Sequence, residues 1–200
     1  MKNVITIITI FIAITGGFSQ IKLSSVDQEN QRPFHLFLGY ELGEMAFNKF
    51  KNFSGEIGVK YNNNMLRFVY QNVALSEEHL SSNFAKSVDG DNVQGLMKTC
   101  ELLYGKTIYK NFNFSISAGY AHDFYEHTIL NVDVENRSGT IGIVPGYRES
   151  NLFNIKGLYF NLEVPIRLYF NPLEKTILGN TTVNRHFIVN NIWFFVGYQF

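Results

Sequence analysis

The sequence predicts an all-β protein, an eight-stranded antiparallel up-and-down transmembrane β-barrel. Apolar and aromatic residues occupy every second position in several segments, which is the period of a strand whose two faces meet different surroundings. Beyond residue 19, no apolar stretch approaches the roughly 20 residues that a spanning helix needs. A membrane protein without spanning helices must be a closed barrel, because only closure pairs every backbone group in hydrocarbon.

The length of the chain sets the number of strands. Removing residues 1–19 from the 200-residue chain leaves 181 residues. Eight strands of about 9 to 11 residues with their turns fit this length, and a 16-stranded porin does not.

Composition excludes several classes of partner. The 17 basic and 17 acidic residues cancel, so neither a nucleic-acid partner nor a polybasic membrane patch is indicated. Cys100 is the single cysteine and cannot form an intramolecular disulfide. Aromatic residues are abundant, with 19 Phe and 11 Tyr, as expected of strands that cross two lipid–water interfaces.

The first 19 residues predict a secretory signal peptide. Lys2 gives a basic start, residues 4–14 form the apolar run, and Gly17 and Ser19 provide the small residues before a cut that leaves Gln20 first. This run is too short to span a bilayer. No cysteine follows it, which argues against a lipoprotein anchor.

Residues 20–32 are polar and predict a flexible periplasmic lead-in, and residues 33–200 form the barrel. Its first five strands follow from the alternation. They are expected at 34–43, 53–62, 65–74, 94–105 and 112–121. Asn62 to Asn64 predict a tight turn, because Asn tolerates left-handed backbone conformations. Residues 76–92 are polar and long enough for an external loop.

Two assignments are open for the next strands. If residues 135–139 form a hairpin tip, Phe112 faces about Leu162, so that strand six is 158–170 and strand seven is 177–183. Strands five and six then rise beyond the membrane as a ribbon around 123–157. The alternative makes 140–147 strand six, 153–170 strand seven and 171–186 a long last loop. We favour the first, because 158–170 then follows a loop and precedes a short turn. Both assignments give eight strands. In the favoured one, Pro165 removes a ladder donor from strand six and predicts a local bulge there.

Charged residues on the inward faces are the main candidate site. An eight-stranded barrel is just wide enough inside for side chains, so opposite charges on neighbouring strands are expected to pair and fill it. Buried charges are tolerated only when paired, and here three acids face three bases. The predicted lumen network comprises Glu56, Lys60, Arg67, Glu101, Glu163 and Arg167.

Three fragments suggest chemistry, and each has a simpler interpretation. His79-Leu80-Ser81 resembles the His-x-Ser element of outer-membrane lipid A deacylases, but it falls in the predicted external loop without a matching acid. His122, Asp123 and His127 predict a solvated cluster, since metal binding needs three or four convergent ligands. A calcium loop that began at Asp89 would need glycine at its sixth position and glutamate at its twelfth, where the chain has Gln94 and Cys100. We therefore predict no catalytic residue, no metal site and no cofactor.

The C-terminal strand carries a family resemblance. Every second residue of this strand is apolar or aromatic and lies on its outward face, and the last one ends the chain. These residues are Ile192, Phe194, Val196, Tyr198 and Phe200. This resembles the last strand of Gram-negative outer-membrane β-barrels, which the barrel assembly machinery reads. The richness in Asn, Lys, Ile, Phe and Tyr and the Phe18-Ser19-Gln20 cleavage site resemble small Bacteroidetes barrels. In architecture the chain is similar to OmpA- and OmpX-like barrels.

The resemblance implies a non-enzymatic protein of the cell outer membrane with a structural, surface-interaction or minor transport role. Outer-membrane lipid and the assembly machinery are the implied partners, and the raised ribbon could meet an external protein. A monomer is expected, with no nucleic acid. The alternative is a lipid-modifying or hydrolytic barrel enzyme, similar to the lipid A deacylases.

Overall fold

The protein is described by a computed structural model that defines residues 34–43, 53–75, 85–86 and 92–200. The predicted signal peptide, the lead-in, residues 44–52, and residues 76–91 apart from 85–86 lie outside these residues. Within the described ranges the elements are strands, with one short 3₁₀ turn at Leu152–Asn154. In chain order the strands are β1 (Phe34–Glu41), β2 (Phe53–Tyr61), β3 (Asn64–Leu75), β4 (Ala85–Lys86), β5 (Val93–Tyr109), β6 (Phe112–His127), β7 (Val132–Ser150), β8 (Leu158–Glu163), β9 (Ile166–Tyr169), β10 (Thr176–Leu178), β11 (Thr181–Val183), β12 (Ile188–Asn190) and β13 (Trp193–Gln199).

Eight wall strands form a closed antiparallel barrel, as predicted. Neighbours along the chain pair in sequence from β1 to β7, with β4 left out of the wall. The seventh wall strand is β8 with β9, and the eighth is β12 with β13. β13 closes the sheet by pairing with both β8 and β1. Closure leaves no unpaired sheet edge.

The strands are staggered around the barrel. Following the paired residues from Leu38 through each neighbouring strand in turn leads to Ile188 on the eighth wall strand. Where the barrel closes, however, Leu38 pairs with Tyr198 of that strand. The two positions differ by 198 − 188 = 10 residues, which is the offset between the strands. Such a shear requires strands tilted by about 35–45°. Rows of paired residues therefore climb the wall as they pass from strand to strand.

The connections at the two ends differ in length. At what we call the lower end, residues 62–63 join β2 to β3 and residues 110–111 join β5 to β6. Asn62 and Lys110 adopt left-handed conformations in these turns, with φ of 52° and 47°. At the upper end, residues 170–187 form a long connection that carries the β10–β11 hairpin, which pairs with β4.

The favoured assignment of strands six and seven was wrong, and the structure adopts the alternative. Phe112 pairs with Tyr147, not Leu162, and the hairpin tip lies at residues 128–131. Residues 135–139 lie inside β7, where Gly139 pairs with Tyr120. The uppermost residue of β7 that pairs with β9 is Thr140, and β7 extends above it. Residues 135–139 belong to this upper part of a long strand, and their polar composition reflects that position.

Two further corrections follow from this assignment. Residues 177–183 form part of the small upper sheet and not of the barrel wall. The raised ribbon comprises the ends of β6 and β7 around residues 128–131, while residues 140–150 belong to the wall. The expected irregularity at Pro165 is present, since β8 ends at Glu163 and β9 begins at Ile166.

Candidate functional site

The lower lumen contains an arginine held between two carboxylates. Arg67 on β3 donates from Nη1 to Oε2 of Glu56 at 2.7 Å and from Nη2 to Oε1 of Glu163 at 2.6 Å. All three side chains have no solvent-accessible surface. They come from β2, β3 and β8, and alternation on each strand points the side chain into the lumen. Each carboxylate is compensated by a charge-assisted hydrogen bond.

Arg148 extends this lower cluster and was missed by the sequence reasoning. Its guanidinium carbon lies 3.6 Å from the centre of the Tyr159 ring and 4.3 Å from that of Phe37. Its Nη1 lies 3.8 Å from Oε1 of Glu56, which also accepts a hydrogen bond of 2.8 Å from the Tyr159 hydroxyl. Cation–π contacts of this kind stabilise a buried charge that has few carboxylates near it.

A second cluster fills the middle of the lumen. Arg167 donates from Nε to Oε1 of Glu101 at 2.6 Å and from Nη1 to Oδ1 of Asn191 at 2.8 Å. Its guanidinium carbon also lies 4.3 Å from the centre of the Trp193 ring. Asn191 is available there because the wall strand breaks between β12 and β13, opposite the break at Pro165. The tryptophan is fully buried in the lumen.

A third cluster joins the 170–187 connection to the barrel. Arg185 of the connection forms a bidentate ion pair with Asp123 of β6, and its guanidinium carbon lies 5.1 Å from the centre of the Tyr169 ring. Burial alone would lower the pKa of Arg185, but the Asp123 carboxylate outweighs it and the pKa is raised. Burial raises the pKa of nearby Tyr125 to about 12.

Apolar side chains surround this third cluster. Leu173, Leu178 and Val183 of the connection are buried against inward residues of the upper strands. The apolar cluster comprises Val73, Val93, Met97, Tyr125, Leu173, Leu178 and Val183. The connection therefore covers the upper end of the barrel, with an ion pair beneath an apolar layer.

The structure brings five of the six predicted lumen residues into two clusters. Lys60, the sixth, lies half-buried near the lower end of β2, opposite His35 and Met65 on the neighbouring strands. Glu41 is an additional buried acid, and its Oε1 accepts hydrogen bonds from the backbone amides of Gly43 and Phe194 at 2.9 and 3.1 Å. Among the described residues, five buried acids thus accompany four buried arginines.

The fragments that suggested chemistry do not assemble a reaction centre in the described residues. His79, Ser81 and residues 89–91 lie outside them. His122 points outward beside Glu135, whereas Asp123 and His127 point inward. The Nδ1 of His127 accepts from the backbone amides of Ile129 and Leu130, which fixes the hairpin tip. No group of three or more potential metal ligands occurs within the described ranges.

Comparisons with protein families, with curated proteins and with solved structures found no match. A search of the described residues also found no helix long and apolar enough to cross a membrane. The class is therefore defined by the fold: a closed eight-stranded antiparallel β-barrel whose lumen holds paired charges. This fold is compatible with a small outer-membrane protein.

The Arg185–Asp123 pair yields the first prediction. Asp123→Asn should free the 170–187 connection and expose it to trypsin at Lys175 and Arg185. Hydrogen bonds to charged groups contribute about 1.5–3 kcal/mol, so cleavage should be roughly ten- to a hundredfold faster. Mass spectrometry of the fragments measures this rate. Asp133→Asn, an exposed aspartate on the same hairpin, is the matched control. Equal rates in both variants would show that the ion pair does not hold the connection.

Proposed function

We propose that the protein is a non-enzymatic β-barrel of the cell outer membrane, with strands that cross the lipid and a lumen closed by its own side chains. The observation that carries this proposal is the outer surface of the barrel. Large apolar side chains cover it in every wall strand, and Ile57, Leu102 and Ile192 are 60, 54 and 65% exposed. A soluble monomer rarely exposes an apolar patch of more than a few hundred Å².

Aromatic side chains at both limits of this surface support the proposal. At the lower limit the rings of Phe112 and Tyr147 lie 5.2 Å apart, and Tyr147 lies 5.9 Å from Phe160. At the upper limit Phe53 lies 6.1 Å from Tyr70. Aromatic girdles at two interfaces are typical of barrels that span a bilayer. The short turns then face the periplasm and the long connections face the outside.

The lumen supports a role other than that of a wide channel. Charged clusters alternate along the barrel with buried apolar groups such as Val69, Leu103 and Val144. A structural or surface-interaction role fits this interior, with minor transport at most. The raised ends of β6 and β7 would offer a surface to an external partner, and a monomer needs no other subunit to close its sheet.

Fractionation tests this proposal. The full-length chain, expressed with its own leader, should be recovered in the outer membrane and should migrate differently on a denaturing gel when unheated. In a planar bilayer it should conduct poorly or only in rare openings. Recovery as a soluble periplasmic protein contradicts the membrane assignment, and a steady, large conductance contradicts the closed lumen.

The C-terminal strand yields a second prediction. Deleting Phe200, or replacing Tyr198 and Phe200 with Ser, should sharply lower the yield of folded barrel in the membrane. Phe200 donates its amide to Leu36 at 2.8 Å beyond the end of β13, and its outward ring resembles the signal that the assembly machinery reads. Phe34→Ser is the matched control, because this ring is also outward and exposed at the lower end. An equal loss in the control would indicate general packing and not a signal.

A further inference from the structure

A strip of polar side chains lies where the outer apolar surface ends at the upper side. On four adjacent strands, β3, β5, β6 and β7, the first polar outward residue above the apolar run lies on one row of paired positions. The row runs Asn72, Lys98, His122 and Arg137. Because the strands are tilted, it climbs from β3 to β7.

The charges of this strip are mostly basic. Lys98 and Arg137 carry fixed positive charges, and His122 lies between them in the row. One carboxylate, Glu135, serves two of these groups: its Oε1 lies 2.6 Å from Nη2 of Arg137 and 3.0 Å from Nε2 of His122. The hydrogen bond from Arg137 lowers the pKa of Glu135. Lys98 is exposed and has no ion pair with any described residue.

The outward residues below and above the strip distinguish it from the other charged residues of the surface. Below it lie outward Tyr70 and Tyr120, which belong to the upper aromatic limit. The next outward row above it holds half-buried Leu96 and Phe124 beside Glu135, and the row beyond that pairs Glu126 with Asp133. Positive charge therefore lies at the upper margin of the strongly exposed apolar surface, at the depth where the headgroups of an outer leaflet lie.

We propose that Lys98, His122 and Arg137 bind the phosphate of a phosphorylated lipid in the outer leaflet. Arginine offers a planar fork of donors to phosphate oxygens, and lysine adds a mobile point charge. These three side chains lie on adjacent strands and span two gaps of about 5 Å, a width that suits a phosphorylated headgroup. This inference rests on the proposed function, since it requires the apolar surface below the strip to face lipid.

The test uses the full-length barrel in a neutral detergent. The probes are bis-phosphorylated lipid A, the same lipid after enzymatic dephosphorylation, and inorganic phosphate. Native mass spectrometry gives the bound fraction at each concentration. The double variant Lys98→Gln/Arg137→Gln should bind the phosphorylated lipid roughly tenfold or more weakly. The matched control is Lys106→Gln/Lys110→Gln, which removes two basic residues at the lower end.

Several results would overturn the proposal. They are equal binding of the dephosphorylated lipid, an equal loss in the control variant, unchanged binding by the double variant, and competition by inorganic phosphate at the same concentration as the lipid. The last would assign the strip to a free anion. Failure here leaves the membrane location intact, because fractionation measures that location separately. Conversely, recovery of the barrel outside the membrane would contradict the proposed membrane location in the fractionation experiment, whatever lipid the barrel binds in detergent.

Discussion

Replacing Arg67 with methionine should lower the free energy of unfolding by about 3–5 kcal/mol, because it leaves two buried carboxylates without their shared partner. Glu56 and Glu163 both lose a hydrogen bond of 2.7 Å or less, and neither side chain has any accessible surface through which water could compensate. The measurement is a urea titration of the folded fraction in lipid vesicles, followed by the heat-dependent shift on a gel.

The control separates lost charge balance from lost volume. The double variant Arg67→Met/Glu163→Gln keeps the shapes and leaves Glu56 with Arg148 and the Tyr159 hydroxyl, so it should recover most of the loss. Lys106→Met, which removes an outward cation on β5, should leave stability nearly unchanged. A single Arg67→Met variant as stable as the unmodified barrel would show that water or rearrangement compensates both acids.

Leu102→Arg should be the most damaging outward substitution. Leu102 lies near mid-height of the apolar surface, paired with Phe68 and Ala118, and is 54% exposed. Arginine at the bilayer midplane costs about 2–4 kcal/mol in a barrel, and this cost falls to about 0–1 near the interfaces. The same vesicle titration measures it.

Gln94→Arg is the control for this prediction. It lies on the same strand and the same face, eight residues away and beyond the basic strip, and should cost less than about 1 kcal/mol. Equal small effects at both positions would indicate that Leu102 faces water. That outcome would contradict the membrane assignment while leaving the barrel fold unaffected.

Alternation predicted the wall strands well only where one face meets an apolar surface. In β1, β2 and β3 the outward residues are mostly apolar, whereas polar and small side chains recur among the inward ones, so the period is visible in the sequence. In the upper part of β7 both faces are polar: Glu135 and Arg137 point outward and Ser138 points inward. The contrast vanishes there, and the segment was misread as a turn.

The residues of the candidate site could be predicted only where the strand that carries them shows this alternation. Alternation along the strands placed five of these residues in the lumen: Glu56, Arg67, Glu101, Glu163 and Arg167. Predicting that Arg148 lies in the lumen requires the correct bounds of the sixth wall strand, and the composition of the sequence favoured the wrong ones. Arg185 lies in a connection with no period, and only the folded chain brings it to Asp123.

The most direct test of the central claim uses Cys100, the single cysteine of the chain, which points outward on β5 between Tyr70 and Tyr120. A spin label on Cys100 is compared in phospholipid vesicles with a label on Gln94→Cys in a Cys100→Ser background. At position 100, collisions with lipid-soluble oxygen should exceed those with a water-soluble nickel chelate, and at position 94 the order should reverse. Nickel collisions as frequent at position 100 as at position 94 would contradict a barrel that spans the membrane.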